Sequence, residues 1–206
     1  MTNNLRKSIL ILKRDPRFAP IVRKYGKPDL TRYFGGIGIF PALLRSIVYQ
    51  QLSGHAARAI LARVLVLFPR GKPTPRRLIK LPAGKLRAAG LSVQKISYVR
   101  DLAHKCLDGT IDEKQFPTMS SEEIVQHLTQ VRGVGQWSAH MVLIFTLHRL
   151  DILPTGDLGI RKGFQILYKL RTLPDKKKME SLARPWHAHA SIASWYLWQI
   201  ADENKK

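Results

Sequence analysis

Two short stretches of the 206-residue chain hold groups suited to chemistry. The first is Leu153-Pro-Thr-Gly-Asp-Leu-Gly-Ile-Arg-Lys162. Pro154 and Gly156 shape a loop, and Asp157 stands where a helix begins. Asp is a favoured N-cap, so capping is the ordinary task of a residue in that place. A carboxylate there has a second use that does not exclude the first. The helix dipole favours its charge, Arg161 and Lys162 one turn on act in the same sense, and a fixed anion favours a transition state that develops positive charge.

The second stretch is Val131-Arg-Gly-Val-Gly-Gln-Trp-Ser-Ala139. Two glycines flanking one apolar residue let the backbone turn tightly and expose its amides. At the start of a helix such amides, with the dipole, seat an anion. Ser138 is placed to add a hydroxyl contact. Alone, a glycine pair of this kind is more often a plain turn between antiparallel helices.

The charge balance says which anion. Thirty-five Lys and Arg against fourteen Asp and Glu give a formal net charge of +21. Such an excess draws in polyanions: DNA, RNA or an anionic membrane. The cations are scattered rather than confined to one amphipathic face, which speaks against the membrane. No stretch approaches a transmembrane length, and the apolar run near the N-terminus is too short for a signal-peptide core. Cys106 is the one cysteine. It excludes an intramolecular disulfide and a cysteine-ligated iron–sulfur cluster, and suits an intracellular compartment. The histidines are dispersed, and His187 with His189 cannot complete a metal shell.

The elements that must position these stretches read as helices almost throughout. Apolar residues at Leu43, Leu44, Ile47 and Val48 predict a helix over Ala42–Leu52. Ser53 caps the next, which runs to about Phe68. PRGKPTPRR is a connecting loop, followed by one short helix closed by Gly90 and by another from Ser92 to before Gly109. Ser120 and Glu123 form a capping box. Further helices are expected over Gln136–Leu147, Leu158–Leu170 and Ala190–Ile200. Ile37–Phe40 is the single strand candidate. The fold class is all-α.

The glycine hairpin followed by an Asp at a helix start resembles the HhH-GPD superfamily of DNA glycosylases, and within it the 3-methyladenine DNA glycosylase II family. Ser46-Ile-Val-Tyr-Gln-Gln-Leu-Ser53, Ala89-Gly-Leu-Ser-Val-Gln-Lys-Ile-Ser-Tyr-Val-Arg-Asp-Leu-Ala103 and Trp195-Tyr-Leu-Trp198 carry the resemblance further. It implies one two-lobed helical unit over 1–206, with a helix-hairpin-helix motif about 121–147 and a second lobe formed by both chain ends. The N-terminal β domain of some longer members is expected to be absent.

The activity implied is hydrolysis of the N-glycosidic bond of alkylated purines, of the 3-methyladenine and 7-methylguanine type, in duplex DNA during base excision repair. Asp157 matches the catalytic Asp, with water as nucleophile. Bifunctional relatives carry a Lys where this chain has Trp137; indole forms no Schiff base, so strand cleavage is not expected. Trp137 and Trp198 match the aromatics of the base pocket, and Tyr49 is a candidate to join them. Stacking on a cationic base adds about 0.5–2 kcal/mol. Trp195 and Tyr196 read instead as helix-packing core.

A flipped nucleotide leaves a gap in the duplex. The resemblance gives the filling role to Gln51, with Leu52 the neighbouring alternative. It assigns Gly133, Val134, Gly135 and Ser138 to a phosphate. The main-chain carbonyls of Thr129, Val131 and Val134 match those that hold a monovalent cation, Na or K; no other cofactor is implied. The partner is double-stranded DNA with damaged bases, not a membrane, and the chain is expected to be a monomer. Its place is the cytoplasm or nucleoid of a prokaryote, or a nucleus.

One departure stands out. Relatives often read Trp-x-Pro-aromatic-Arg-Ser where this chain has Trp186-His-Ala-His-Ala-Ser191. Ala188 and Ala190 replace the Pro and Arg, which puts packing or substrate choice near the last helix in question. Two other functions stay open at this stage. One is a non-enzymatic binder of DNA structures that uses the hairpin as an anchor; the other is a glycosylase of the same fold acting on deaminated, etheno or oxidised bases.

Overall fold

The computed structural model describes residues 2–31 and 38–203, and among these every regular element is helical. In chain order they are α1 (Thr2–Arg14), α2 (Phe18–Tyr25), α3 (Ile39–Tyr49), α4 (Gly54–Val66), α5 (Pro75–Lys80) and α6 (Ala83–Ala88). There follow α7 (Val93–Leu107), α8 (Ser121–Thr129), α9 (Gln136–Phe145), α10 (Leu158–Leu167), α11 (Lys176–Ala183) and α12 (Ala190–Glu203). Two compact units result: residues 34–142 form one, and residues 1–33 with 143–206 the other. None of the described helices is long and apolar enough to cross a membrane.

In the central unit, α3 is buried along nearly its whole length, from Ile39 to Val48. The expected strand is therefore corrected: Ile39 and Phe40 open α3, and Ile37 lies outside the described residues. The helix begins earlier than its apolar periodicity suggests because the Glu113 carboxylate accepts the Ile39 amide at 3.1 Å. Pro41 falls in the first turn, where its missing N–H costs nothing. Ser53, Ser92 and the Ser120–Glu123 box cap α4, α7 and α8 as their types predict. The Pro- and Arg-rich connection is partly ordered: Pro69–Gly71 makes a 3-10 turn, and Pro75 starts α5. The single short helix expected before Gly90 is thus two, α5 and α6. On the inner side of α7, Ile96, Val99, Leu102 and Ala103 are buried.

In the unit built from both chain ends, α10 lies against α12 at very short range. A Cβ at Gly163 would sit 2.6 Å from the Leu197 carbonyl oxygen, so only glycine permits this approach. Phe164 of α10 and Phe18 of α2 surround Trp186, at centroid distances of 5.7 and 5.4 Å. The Tyr196 hydroxyl donates to Gly26 O at 2.7 Å. Trp195 and Tyr196 are buried, as core residues should be. At the departure from the family pattern, residues Arg184–His189 form a 3-10 turn with Trp186 inside, and Ala190 is fully buried where α12 begins. Helices α9 and α10 stop short of their expected ends. His148 and Lys169, just beyond them, are in the left-handed region.

Cys106, on α7, is half-buried. Burial, then the negative charges of Glu113 and Asp108, push its thiol up to about 12.

Gly163→Ala is expected to lower stability by about 1–3 kcal/mol, the usual cost of forcing extra volume into a packed contact. For a chain of this size that is a fall in Tm of about 2–12 °C. Gly84 of α6 has open space around it. Gly84→Ala should leave Tm unchanged or raise it slightly, since alanine restricts the unfolded chain. Thermal melts of the two variants check both expectations.

Candidate active site

Asp157 begins α10 with an extended backbone, and its Oδ1 accepts the Ile160 amide at 2.9 Å. The capping role is therefore real. The same Oδ1 also accepts the indole N–H of Trp198 at 3.0 Å. Trp198 is itself stacked on Phe145, with ring centroids 5.8 Å apart and planes 27° off parallel. Gly159 makes room for the pair: a Cβ there would meet Trp198 Cδ1 at 2.9 Å and Asp157 Oδ1 at 3.0 Å. Arg161 donates its Nε–H to Pro174 O at 3.1 Å.

The loop leading to Asp157 is fastened to α12 as well. The Ser191 amide donates to Leu150 O at 2.8 Å, and Ser191 Oγ accepts the Ile152 amide at 3.1 Å. Ser194 Oγ donates to Ile152 O at 3.4 Å. Ser191, Ser194 and Trp198 follow an i, i+3, i+7 spacing, so one face of α12 fixes both loop and carboxylate. Sequence reasoning missed these serines and the part played by Gly159. Their only trace is that helical spacing and a glycine two residues after the acid. Trp198, expected to line a base pocket, is also a direct partner of the carboxylate.

In the central unit, the hairpin joins α8 to α9. The Val134 amide donates to Val131 O at 3.0 Å, closing the turn, and the Ala139 amide bonds back to Gly135 O at 3.1 Å. Gly133 has φ +80, and a Cβ on it would lie 2.2 Å from the Tyr98 ring. It is therefore required twice over, by conformation and by space. Gly135 has open space around it and is exposed.

Two expectations for the phosphate seat are corrected here. The Val134 amide turns into the hairpin rather than outward, because it closes the turn. Ser138 is 4 % exposed, and its Oγ accepts from Ser46 Oγ at 3.0 Å. It falls on the inward face of α9 beside Ala139, so its hydroxyl ties α9 to α3. Trp137, in the first turn, is 50 % exposed.

The stretch proposed to enter DNA lies between α3 and α4. Gln51 is exposed with φ +56, and Leu52 is exposed beside it. Gln50 donates its Nε2–H to Gly133 O at 2.6 Å, joining this turn to the hairpin. Tyr49 is half-buried. The Arg45 guanidinium covers one face of its ring at 4.3 Å, and its hydroxyl is buried with no hydrogen-bond partner among the described residues.

The electrostatics of this unit follow from one property of the sequence. Between Leu30 and Arg100 there is no Asp or Glu, so every formal charge in that stretch is positive. Arg63, Arg87 and Arg100 donate instead to the carbonyls of Ala89, Leu91 and Leu81. Carbonyls accept from these guanidinium groups without cancelling their charge. The unit thereby keeps a net positive field. Asp101, the next carboxylate, accepts the Arg132 amide at 2.8 Å and its Nε–H at 3.2 Å. Among the described residues no cluster of three His, Cys, Asp or Glu is placed to hold a metal ion.

Comparison with known proteins agrees with this arrangement. Residues 44–188 match the model of the HhH-GPD superfamily base excision DNA repair protein. DNA-3-methyladenine glycosylase 1 of Schizosaccharomyces pombe is 34 % identical over 81 % of this chain and 75 % of its own length. The alkylbase DNA glycosidase-like protein mag2 of the same organism is 29 % identical over 93 % of this chain and 91 % of its own. Among solved structures, the S. pombe 3-methyladenine DNA glycosylase in complex with abasic DNA superposes with a TM-score of 0.81 at 29 % identity, covering 95 % of this chain and 97 % of that one. The DNA-3-methyladenine glycosidase of Bacillus halodurans gives 0.80 at 32 % identity, over 95 % and 88 %. With the hairpin, the capped carboxylate and a family match over most of its length, the chain belongs to the HhH-GPD superfamily of base excision DNA repair proteins.

Proposed function

We propose that this chain is a monofunctional DNA glycosylase that hydrolyses the N-glycosidic bond of alkylated purines, of the 3-methyladenine and 7-methylguanine type, in duplex DNA. The observation that carries the reading is the Asp157 carboxylate, held by a helix amide and an indole N–H through the same oxygen. The names of the relatives point to the same substrate class.

A purine methylated on a ring nitrogen is already a good leaving group. As its bond to C1′ breaks, the base takes the bonding electrons and positive charge builds on the deoxyribose. The Asp157 anion offsets that charge more in the transition state than before it. Water then adds at C1′ and loses a proton, leaving free base and an abasic site. Trp137 and Trp198 supply aromatic faces for the base, with Tyr49 a third candidate. Gln51, with Leu52 beside it, fills the space that the flipped nucleotide vacates. Exposed Gly135 offers its amide to a phosphate near the lesion.

The carbonyls of Thr129, Val131 and Val134 would hold a monovalent cation, whose charge would strengthen the hairpin's grip on that phosphate. The Val131 carbonyl already accepts the Val134 amide and retains a second lone pair with which it could ligate. The enzyme would work as a monomer inside the cell, where its DNA substrate is.

Base release from a duplex carrying 7-methylguanine tests the reading. Asp157→Asn should lower the rate by about 100-fold or more. Asparagine caps helices nearly as well as aspartate, so Tm should stay within about 2 °C. Asp157→Ala, which removes cap and charge, should lose the same activity and about 1 kcal/mol of stability. Tight DNA binding without release by wild type or variant would establish the DNA-structure binder instead. A panel of deaminated, etheno and oxidised bases decides the lesion. A second measurement addresses the missing lysine: with Trp137 in its place, borohydride should trap no protein–DNA adduct, and the product strand should stay intact until treated with alkali.

A further inference from the structure

Helix α7 presents Lys95, Tyr98 and Asp101 at i, i+3 and i+6, on one side of the helix. Each meets a different part of the candidate DNA-contacting surface. Lys95 Nζ donates to Val48 O at 2.7 Å and to Gln50 O at 2.8 Å. The Tyr98 ring fills the space that a side chain on Gly133 would need. Asp101 holds the Arg132 amide and guanidinium.

Val48 and Gln50 lie where α3 runs out, and the carbonyls of a last turn have no intrahelical amide to accept from. A cation placed there satisfies them and meets the negative end of the dipole. Desolvation shifts the Lys95 ammonium below the usual lysine range. Immediately after the clamped carbonyl comes Gln51, at φ +56, a conformation that a residue with a Cβ rarely adopts unaided. Gln50 is held at a second point, through its side chain to Gly133 O.

We propose that Lys95 is a positioning residue for base extrusion: by clamping the carbonyls of Val48 and Gln50 it holds Gln51 in the left-handed conformation that presents Gln51 and Leu52 for insertion into the duplex. The inference rests on the reading of those two residues as the wedge. Lys95 itself touches no substrate. It acts through the turn, and α7 keeps that turn in register with the hairpin.

The test uses a duplex with 2-aminopurine opposite a tetrahydrofuran abasic site, whose fluorescence reports insertion, beside base release from 7-methylguanine. Lys95→Met keeps the aliphatic stem and removes the donors. Binding of undamaged duplex, followed by anisotropy, should change by less than about threefold, because the hairpin is intact. The fluorescence step should be lost, and kcat should fall by about tenfold or more with little change in KM, as expected when a group is displaced by about an ångström. Lys95→Arg should restore most of both. Adding Gln51→Ala to Lys95→Met should cost little more than the single change, since both act through one element. Should Lys95→Met not fold, Lys95→Leu, which also lacks a donor, carries the same comparison.

An unchanged fluorescence step and kcat in the variant would overturn the inference while leaving the glycosylase reading intact. So would full additivity with Gln51→Ala, or loss confined to Tm. Base release by wild type with no fluorescence step would remove the wedge reading, and this inference with it. No release by wild type would sink the proposed function itself.

Discussion

Asp157 Oδ1 takes two hydrogen bonds from donors that cannot move independently of their helices: the Ile160 amide of α10 and the Trp198 indole of α12. The position of that oxygen is therefore set by how closely the two helices lie. Their separation is set in turn by glycine, with Gly163 against the Leu197 backbone and Gly159 against Trp198 and Asp157 itself. An anion that must meet a developing charge is useful only if it need not move to do so, since preorganisation is what makes such a group effective. Much of the packing in this unit fixes that one oxygen.

The two units solve the same problem in the same way. Each has an irregular segment that must keep an exact shape, and each lays that segment along one face of a single helix. In the unit of the chain ends, Ser191, Ser194 and Trp198 of α12 hold the loop before Asp157 and then the carboxylate. In the central unit, Lys95, Tyr98 and Asp101 of α7 hold the turn after α3 and the hairpin. A helix face repeats at fixed intervals, so side chains spaced along it can pin a loop at several points with little freedom between them. Loops otherwise sit at the mobile end of a structure.

This division explains what could be read in advance. The helical class, the caps at Ser53, Ser92 and Ser120, the core role of Tyr196 and the N-cap at Asp157 were all legible, because each depends on a few neighbouring residues. The start of α3 was not, since its cap is Glu113, far along the chain. Ser138 was misassigned for a related reason. A hydroxyl near a glycine turn suggests a ligand, but the helix phase turns it inward to Ser46. The link from Trp198 to Asp157 spans α10 to α12 and leaves only a spacing in the sequence. Family resemblance points to Asp157; what holds it lies in contacts between α10 and α12.

Cys106 has a chemical consequence of its own. Cysteine reacts with methylating electrophiles as the thiolate, and burial with the nearby carboxylates pushes the single thiol here up to about 12. At neutral pH Cys106 thus offers such reagents almost no thiolate. If the proposed substrate class holds, the reagents that make such lesions would find the one cysteine of this chain a poor target.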